Sequence, residues 1–510
     1  MPRLLVTLIV LATATVAAAG CGNDGASSSD ATSLVPARSL VYAEVTLRPE
    51  GDQKAAIEEL ISKFPGEGSA GDRIRRLMQQ ALAEEDSKLS YEDDIEPWLG
   101  DEAAFFMSGM SADGEDGDFA VLVATDDEEA TVDAMEKDGD PRRREYRGHD
   151  LYVYEEEQAA AVAEGWFLVG TPRAVRTAID TAEGDGEPIE DDDRYRETLA
   201  AAPDDRLGFI YMNMPAFLRE VQGTAEGAAL GALGRLFEEP ILVTGDADEA
   251  GVRFEATVPK EIMRGFPVIA AGGGTAGELP ADSWLAFAQP DLGRTIEGYV
   301  DMAGSALGGR EFLEQQLRAA TGLDLEEDVI SWMGDWGVFV RGTSLDELGG
   351  AVVIESSDEA ASGRFIDAIV RLMRENPTPG MRLGPLALGG GGEGVTLRRP
   401  DVPQPIHIFQ RDGKVVAAYG DAAARDAIDP DQTLADSPAF QDAQEALGDG
   451  YAISIFVAIE PILALAESAG ASSDADFQKA KPYLEPLAAL VGGAREDGDL
   501  LRGVLALTVK

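Results

Sequence analysis

Apolar residues along this chain fall into short runs bounded by turn residues, and most of the runs are of strand length. In the first half they lie at 40–47, 103–107, 119–124, 149–154, 166–169, 207–212 and 252–258. Between some of them, apolar positions recur at spacings of three and four, which predicts helices at 53–64, 127–135 and 172–181. The run at 150–154 is followed closely by that at 159–169, as in a hairpin. The expected fold is therefore α+β, a mainly antiparallel sheet with helices packed on one face. The second half repeats the order with runs at 284–288, 337–341, 351–354, 395–398, 406–410, 415–419 and 452–457. Helical apolar stretches at 214–221, 228–237, 461–466 and 482–491 are ordinary core or the lining of a cavity.

The halves also match in detail. The stretch YEDDIEPWLGDEAAFF at 91–106 is answered by LEEDVISWMGDWGVFV at 325–340, with Glu, Asp, Trp, Gly, Asp and Phe recurring in place. Val35-Pro36-Ala37 is answered by Leu279-Pro280-Ala281, the run at 120–123 by that at 351–354, 176–180 by 425–429, 209–218 by 454–463, and Thr257-Val258 by Thr508-Val509. Collinear matches whose offset drifts slightly are what a duplication with loop insertions produces. Two tandem homologous domains are expected, at 35–260 and 278–510, joined by a linker at 261–277.

The shared WxGD motif reads structurally. Ser90 with Asp93, and Asp324 with Glu327, have capping-box spacing at the start of a short helix. Ile95 and Trp98, like Val329 and Trp332, then point inward. Gly100 and Gly334 stand where a helix commonly ends in a left-handed residue, and Asp101 and Asp335 follow them. Trp98 and Trp332 are expected to plug the helix–strand junction, ahead of any role in ligand binding.

The first twenty residues change the picture, because they are a processing segment. MPR gives a positive start, residues 4–17 are apolar, and Ala18-Ala19-Gly20 is a small-residue cleavage site, the pattern of a secretory signal peptide. The apolar run, about fourteen residues, falls short of the roughly 20 that span a bilayer. Next comes Cys21, the chain's only cysteine, which has no disulfide partner within the chain. The arrangement resembles a bacterial lipobox, which implies diacylglycerol on the Cys21 thiol, cleavage just before it and acylation of the new N-terminus. Residues 21–34, rich in Gly, Ser and Asp, read as a flexible tether. The expected location is the outer face of the cytoplasmic membrane, lipid-anchored.

With 94 acidic against 42 basic side chains the formal charge is −52. A surface this acidic repels phosphates, which argues against nucleic acid as a partner.

The arrangement of 35–66 followed by DDIEPWLGDEAAFF resembles an uncharacterised actinobacterial family, the domain of unknown function numbered thirty-three fifty-two, carried on lipoproteins or membrane-tethered proteins. The elements that carry the resemblance are Pro36, the segment from Arg48 to Gln53, Phe64-Pro65-Gly66 and the WLGD at 98–101. The second half departs from it, with Gln289-Pro290-Asp291 in place of the RPEGDQ segment. The resemblance implies no catalytic residues.

The residues themselves point the same way. There are two histidines, His149 and His407, each in a strand and each read as packed or solvated, and no HExxH, CxxC, GxSxG or Walker motif. The GxGxxG strings at 272–277 and 389–394 lack the strand-to-helix context that dinucleotide binding requires. Acidic clusters at 113–118 and 246–249 lack the full calcium-loop register and read as turns. Arg142, Arg143, Arg144 and Arg147 form the one dense basic cluster, read as a charged edge guarding a strand before an anion site. No catalytic, cofactor or metal residue is expected. The leading expectation is a non-catalytic envelope binding or scaffold lipoprotein whose partner is an envelope protein or wall polymer. The alternative is a carrier of an apolar ligand between sheet and helices, and a carboxylate hydrolase ranks below both.

Overall fold

A computed structural model describes residues 30–510 except 67, 85–86, 111–116, 140, 155–157, 204–205, 222–238, 261–273, 308 and 389–392. Cys21, the signal segment and the stretch 228–237 lie outside the described residues, as do most of 113–118 and parts of both GxGxxG strings. The chain divides into two compact units, one ending at Thr257 and the other beginning at Val258. Helix and strand are mixed in both, and every strand pairing described is antiparallel.

In the first unit the strands are β1 (Val41–Thr46), β2 (Leu99–Met110), β3 (Gly117–Thr125), β4 (Arg142–Tyr146), β5 (His149–Tyr154), β6 (Gln158–Ala163), β7 (Trp166–Gly170), β8 (Gly208–Met212), β9 (Ile241–Asp248) and β10 (Gly251–Pro259). Their order across the sheet is β4-β5-β6-β7-β3-β2-β1-β8-β9-β10. In the second unit they are β11 (Ser283–Gln289), β12 (Met333–Arg341), β13 (Gly349–Ser356), β14 (Arg382–Pro385), β15 (Glu393–Arg398), β16 (Ile406–Arg411), β17 (Lys414–Tyr419), β18 (Ala452–Ala458), β19 (Leu487–Asp497) and β20 (Leu500–Val509). Their order, β14-β15-β16-β17-β13-β12-β11-β18-β19-β20, follows the same path.

Helices cover both faces of each sheet, where one covered face was expected. The reason is visible in β3, whose residues Ala120 to Ala124 are all buried; side chains alternate across a strand, so an uninterrupted apolar run feeds two cores. Ala120, Leu122 and Ala124 join Tyr42, Phe106, Trp166 and the helix Pro172–Ala182 on one face. Val121 and Val123 join Trp98, Phe167 and the helix Glu128–Asp138 on the other. The second unit pairs a core around Phe339, Phe409 and Phe456 with one around Trp332, Ile366 and Val415.

Two local expectations fail. The stretch 482–491 was expected to be helical throughout, but the helix Ala475–Leu484 ends and β19 begins at Leu487, because β18 and β20 flank it and supply its backbone partners. Of the linker expected at 261–277, Gly274–Glu278 forms a 3-10 turn that sends Ala276 into the core of the second unit.

Candidate functional site

The WxGD motifs follow a single turn of π-type helix, Tyr91–Ile95 in one unit and Glu326–Ile330 in the other. The wide turn is closed by Glu96 N–H to Tyr91 O at 2.8 Å and by Ser331 N–H to Glu326 O at 3.0 Å. It shifts the reciprocal cap by one residue from the expected spacing. Ser90 N–H donates to Asp94 Oδ2 at 2.7 Å, not to Asp93, and Asp324 N–H donates to Asp328 Oδ2 at 2.9 Å, not to Glu327. Asp324 does act as a cap, since its Oδ1 accepts the N–H groups of Glu326 and Glu327 at 3.0 and 3.1 Å.

Trp98 and Trp332 are 3% and 0% exposed. Each indole N–H donates back across the turn, Trp98 Nε1 to Asp94 O at 2.6 Å and Trp332 Nε1 to Asp328 O at 2.9 Å. Each ring packs on a phenylalanine, Phe167 or Phe365, with centroids 5.6 Å apart. The aspartates that hold these turns are charged. Burial would push the Asp94 carboxyl up, but the Lys137 ammonium and the Ser90 N–H outweigh it and hold it below the usual range. Asp328 is held low by the Asp324 N–H and by Arg364, whose Nε lies 2.7 Å away.

Gly100 and Gly334 lie at the starts of β2 and β12 and have no positive φ, so the left-handed helix end expected there is absent. What excludes a side chain is the neighbouring strand. A Cβ at Gly100 would sit 2.7 Å from Ala124 O, and one at Gly334 would sit 3.3 Å from Glu355 O. Asp101 and Asp335 both fix the chain as it leaves the unit's first strand. Asp101 faces Arg48 at 3.6 Å while its carbonyl accepts Leu47 N–H at 2.6 Å, and Asp335 Oδ1 accepts Asp291 N–H at 3.0 Å. Trp98, Gly100 and Asp101, and in the other unit Trp332, Gly334 and Asp335, thus form two junctions in which both indole N–H groups are bonded within the fold.

One polar centre has no signal beyond alternation in VYAEVT. Tyr42 and Glu44 share a face of β1, and the Tyr42 hydroxyl donates to Glu44 Oε2 at 2.7 Å. Tyr195 and Phe209 stand edge-on to Tyr42, at 5.8 and 5.6 Å. Burial pushes the Glu44 carboxyl up to about 7, against the pull of the Tyr42 hydrogen bond. Glu102 is also raised, first by burial and then by the nearby charges of Asp30 and Asp101.

His407 is fully buried. Its Nε2 lies 2.7 Å from Asp421 Oδ1 and its Nδ1 3.1 Å from Thr396 Oγ1, which also accepts Ala387 N–H at 2.9 Å. The hydroxyl–imidazole–carboxylate chain looks catalytic in composition, but His407 and Thr396 are buried between their strands and only the Asp421 end reaches solvent, and the chain ties β15, β16 and the helix Asp421–Asp426 together. His149 pairs with Glu183 at 3.1 Å. At the acidic turn of 246–249, Asp248 Oδ1 accepts the N–H groups of Ala250 and Gly251, the work of a turn residue. Among the described residues no group of three or more His, Cys, Asp or Glu is placed to hold a metal ion.

A cavity lined by Trp98, Met135, Tyr154 and Phe167 measures about 20 Å3, and one lined by Trp336, Val353 and Lys414 about 40 Å3. Holes of this size hold one or a few waters, whereas ligand pockets run to several hundred Å3.

The model of the family described as "Protein of unknown function (DUF3352)" matches residues 4–490. No curated protein matches the sequence. A solved structure, described as crystal form I of TP0453, is 12% identical over 46% of this chain and 79% of its own, with a TM-score of 0.26.

Proposed function

The chain belongs to the family of proteins of unknown function DUF3352, and on that premise we propose that it is a non-catalytic binding or scaffold lipoprotein of the cell envelope. It is held on the outer face of the cytoplasmic membrane by acyl chains on Cys21. The observation that carries this reading is Ala18-Ala19-Gly20 directly before the chain's single cysteine, behind a positive start and a short apolar run. Two or more acyl chains make stable anchoring, where one is marginal. Among the described residues no helix is long and apolar enough to cross a membrane.

The binding or scaffold role is supported by what the polar centres do. Trp98, Trp332 and His407 are spent on the fold, and the cavities of about 20 and 40 Å3 are far below the size an acyl chain fills. We also propose that the two units arose by duplication. The shared strand path supports it, as do paired details: Ile189 N–H to Val35 O at 2.7 Å against Leu434 N–H to Leu279 O at 2.8 Å, and Thr125–Thr131 hydroxyls at 2.7 Å against Ser356–Ser362 at 2.8 Å.

The test is Cys21→Ala in a host that processes lipoproteins. The variant is expected to leave the membrane fraction or to stay uncleaved, and to lose incorporation of labelled palmitate. Full membrane retention at mature length would overturn the anchor.

A further inference from the structure

Among the described residues the outermost strand of the first unit is β4, Arg142–Tyr146, which pairs there with β5 alone. The two strands are joined through Arg147 and Gly148, both at positive φ (52° and 90°), the two-residue turn whose flanking residues, Tyr146 and His149, face each other. Residues flanking such a turn exchange hydrogen bonds, and bonded and non-bonded pairs then alternate along the ladder. The backbone groups of Arg143 and Glu145 therefore point outward from the sheet.

The side chains divide in the same rhythm. Arg143 is neutralised by Asp150, and Arg147 by Asp180 and Asp185. Arg142 and Arg144 stand on the other face of the strand from Arg143, opposite Val153 and Leu151, and both are exposed. No carboxylate among the described residues pairs with either, in a chain of net charge −52. Among the described residues the edge thus presents outward backbone groups without a strand partner and two guanidiniums without a carboxylate, about 7 Å apart, the spacing of alternate residues on a strand.

We propose that β4 is a docking edge for an acidic extended segment of a partner protein. The segment adds to the sheet as a further strand and sets carboxylates at alternate positions against Arg142 and Arg144. Outward N–H and C=O groups are matched by a peptide and not by a phosphate polymer, which selects β-strand addition over a simple anion patch. A second copy of the chain fits this edge less well, because β4 laid antiparallel on itself, with Arg143 facing Glu145, sets Arg144 against Arg144. The outer strand of the second unit is blunted by comparison. It is four residues long and ends in Pro385, which has no N–H to donate, and Arg382 lies directly opposite Arg398. The inference deepens the binding role proposed above by naming the partner's chemistry.

The test uses the full chain in detergent and a short labelled peptide alternating glutamate with valine, followed by fluorescence anisotropy at low salt. Saturable binding is expected, lost when glutamine replaces glutamate and weakened about tenfold by the double variant Arg142→Ala, Arg144→Ala. Glu145→Pro removes an outward donor and is also expected to weaken it, with thermal melting checking that the unit remains folded. No saturable binding, or binding indifferent to the double arginine variant, would overturn the proposal. So would an inorganic polyphosphate that competes fully while Glu145→Pro has no effect, since that is an anion patch. Loss of peptide binding with anchoring through Cys21 intact would remove this edge and leave the membrane-tethered role standing.

Discussion

The Tyr42 hydroxyl donates to the Glu44 carboxylate at 2.7 Å from two residues back on the same strand, so a single face of β1 carries both a buried phenol and a carboxyl raised to about 7. An acid raised in the folded state is held protonated by folding. Its stability contribution is complete below its ordinary value of 4.5 and is lost as the pH rises through about 7. The ionised form then costs about 3 kcal/mol at most. Glu44→Gln is expected to flatten the fall of Tm between pH 5 and 8 and to make the protein the more stable of the two at pH 8. Parallel slopes for the two proteins would show that Glu44 ionises freely.

Trp98→Ala and Trp332→Ala each remove a buried indole and leave a cavity. Each is expected to cost about 3 to 5 kcal/mol in its own unit, read from urea unfolding. Trp332→Phe keeps most of the volume and loses the bond to Asp328 O, so a cost of about 1 kcal/mol beyond the volume change is expected. An alanine variant as stable as the parent would contradict the plug.

The two glycines separate cleanly. Gly100→Ala forces a methyl to 2.7 Å from Ala124 O, a backbone atom that moves only with β3, and is expected to cost about 2 to 3 kcal/mol. Gly334→Ala meets Glu355 O at 3.3 Å and is expected to cost under about 1 kcal/mol. Equal costs would mean that the approach of Gly100 to β3 is not the constraint.

Loss of the acyl anchor should leave folding alone. The Cys21→Ala protein, if released, is expected to match the parent in Tm to within about 1 °C, because the described core residues begin at Ala31, ten positions after residue 21. A large drop would tie the anchor segment into the fold.

Much of the sheet was legible in the chain. Alternation placed β1, β5 and β8 within a residue or two, because their apolar positions are bounded by turn residues on both sides. β4 was not legible as a strand, since RRREY has no apolar face and is held by pairing with β5. β19 was misread because Leu487 to Val491 is apolar at every position, a pattern that suits a buried helix as well as a strand with two covered faces. The tryptophans of the WxGD motif lie inward, with Trp98 3% and Trp332 0% exposed. The role of Gly100 was not legible, because the backbone it approaches comes from β3, more than twenty positions along. Glu44 was passed over for a similar reason, since the rings that pack on its hydrogen-bond partner Tyr42, Tyr195 and Phe209, come from distant elements.

The irregularity at the start of β2 reaches further than its length. Between Leu99 and Ala103 the strand takes four steps where β3 takes two, while between Met333 and Trp336 β12 takes three against two on β13. Phe105 and Phe339, which coincide when the two stretches are written one above the other, consequently face opposite sides. Phe105 leans on the core of Trp98, and Phe339 lies in the core away from Trp332. An added residue inside a strand inverts every side chain beyond it unless something absorbs the change. Here the bulge acts as an expansion joint, so a difference in length is taken up beside Gly100 and neither core has to be repacked.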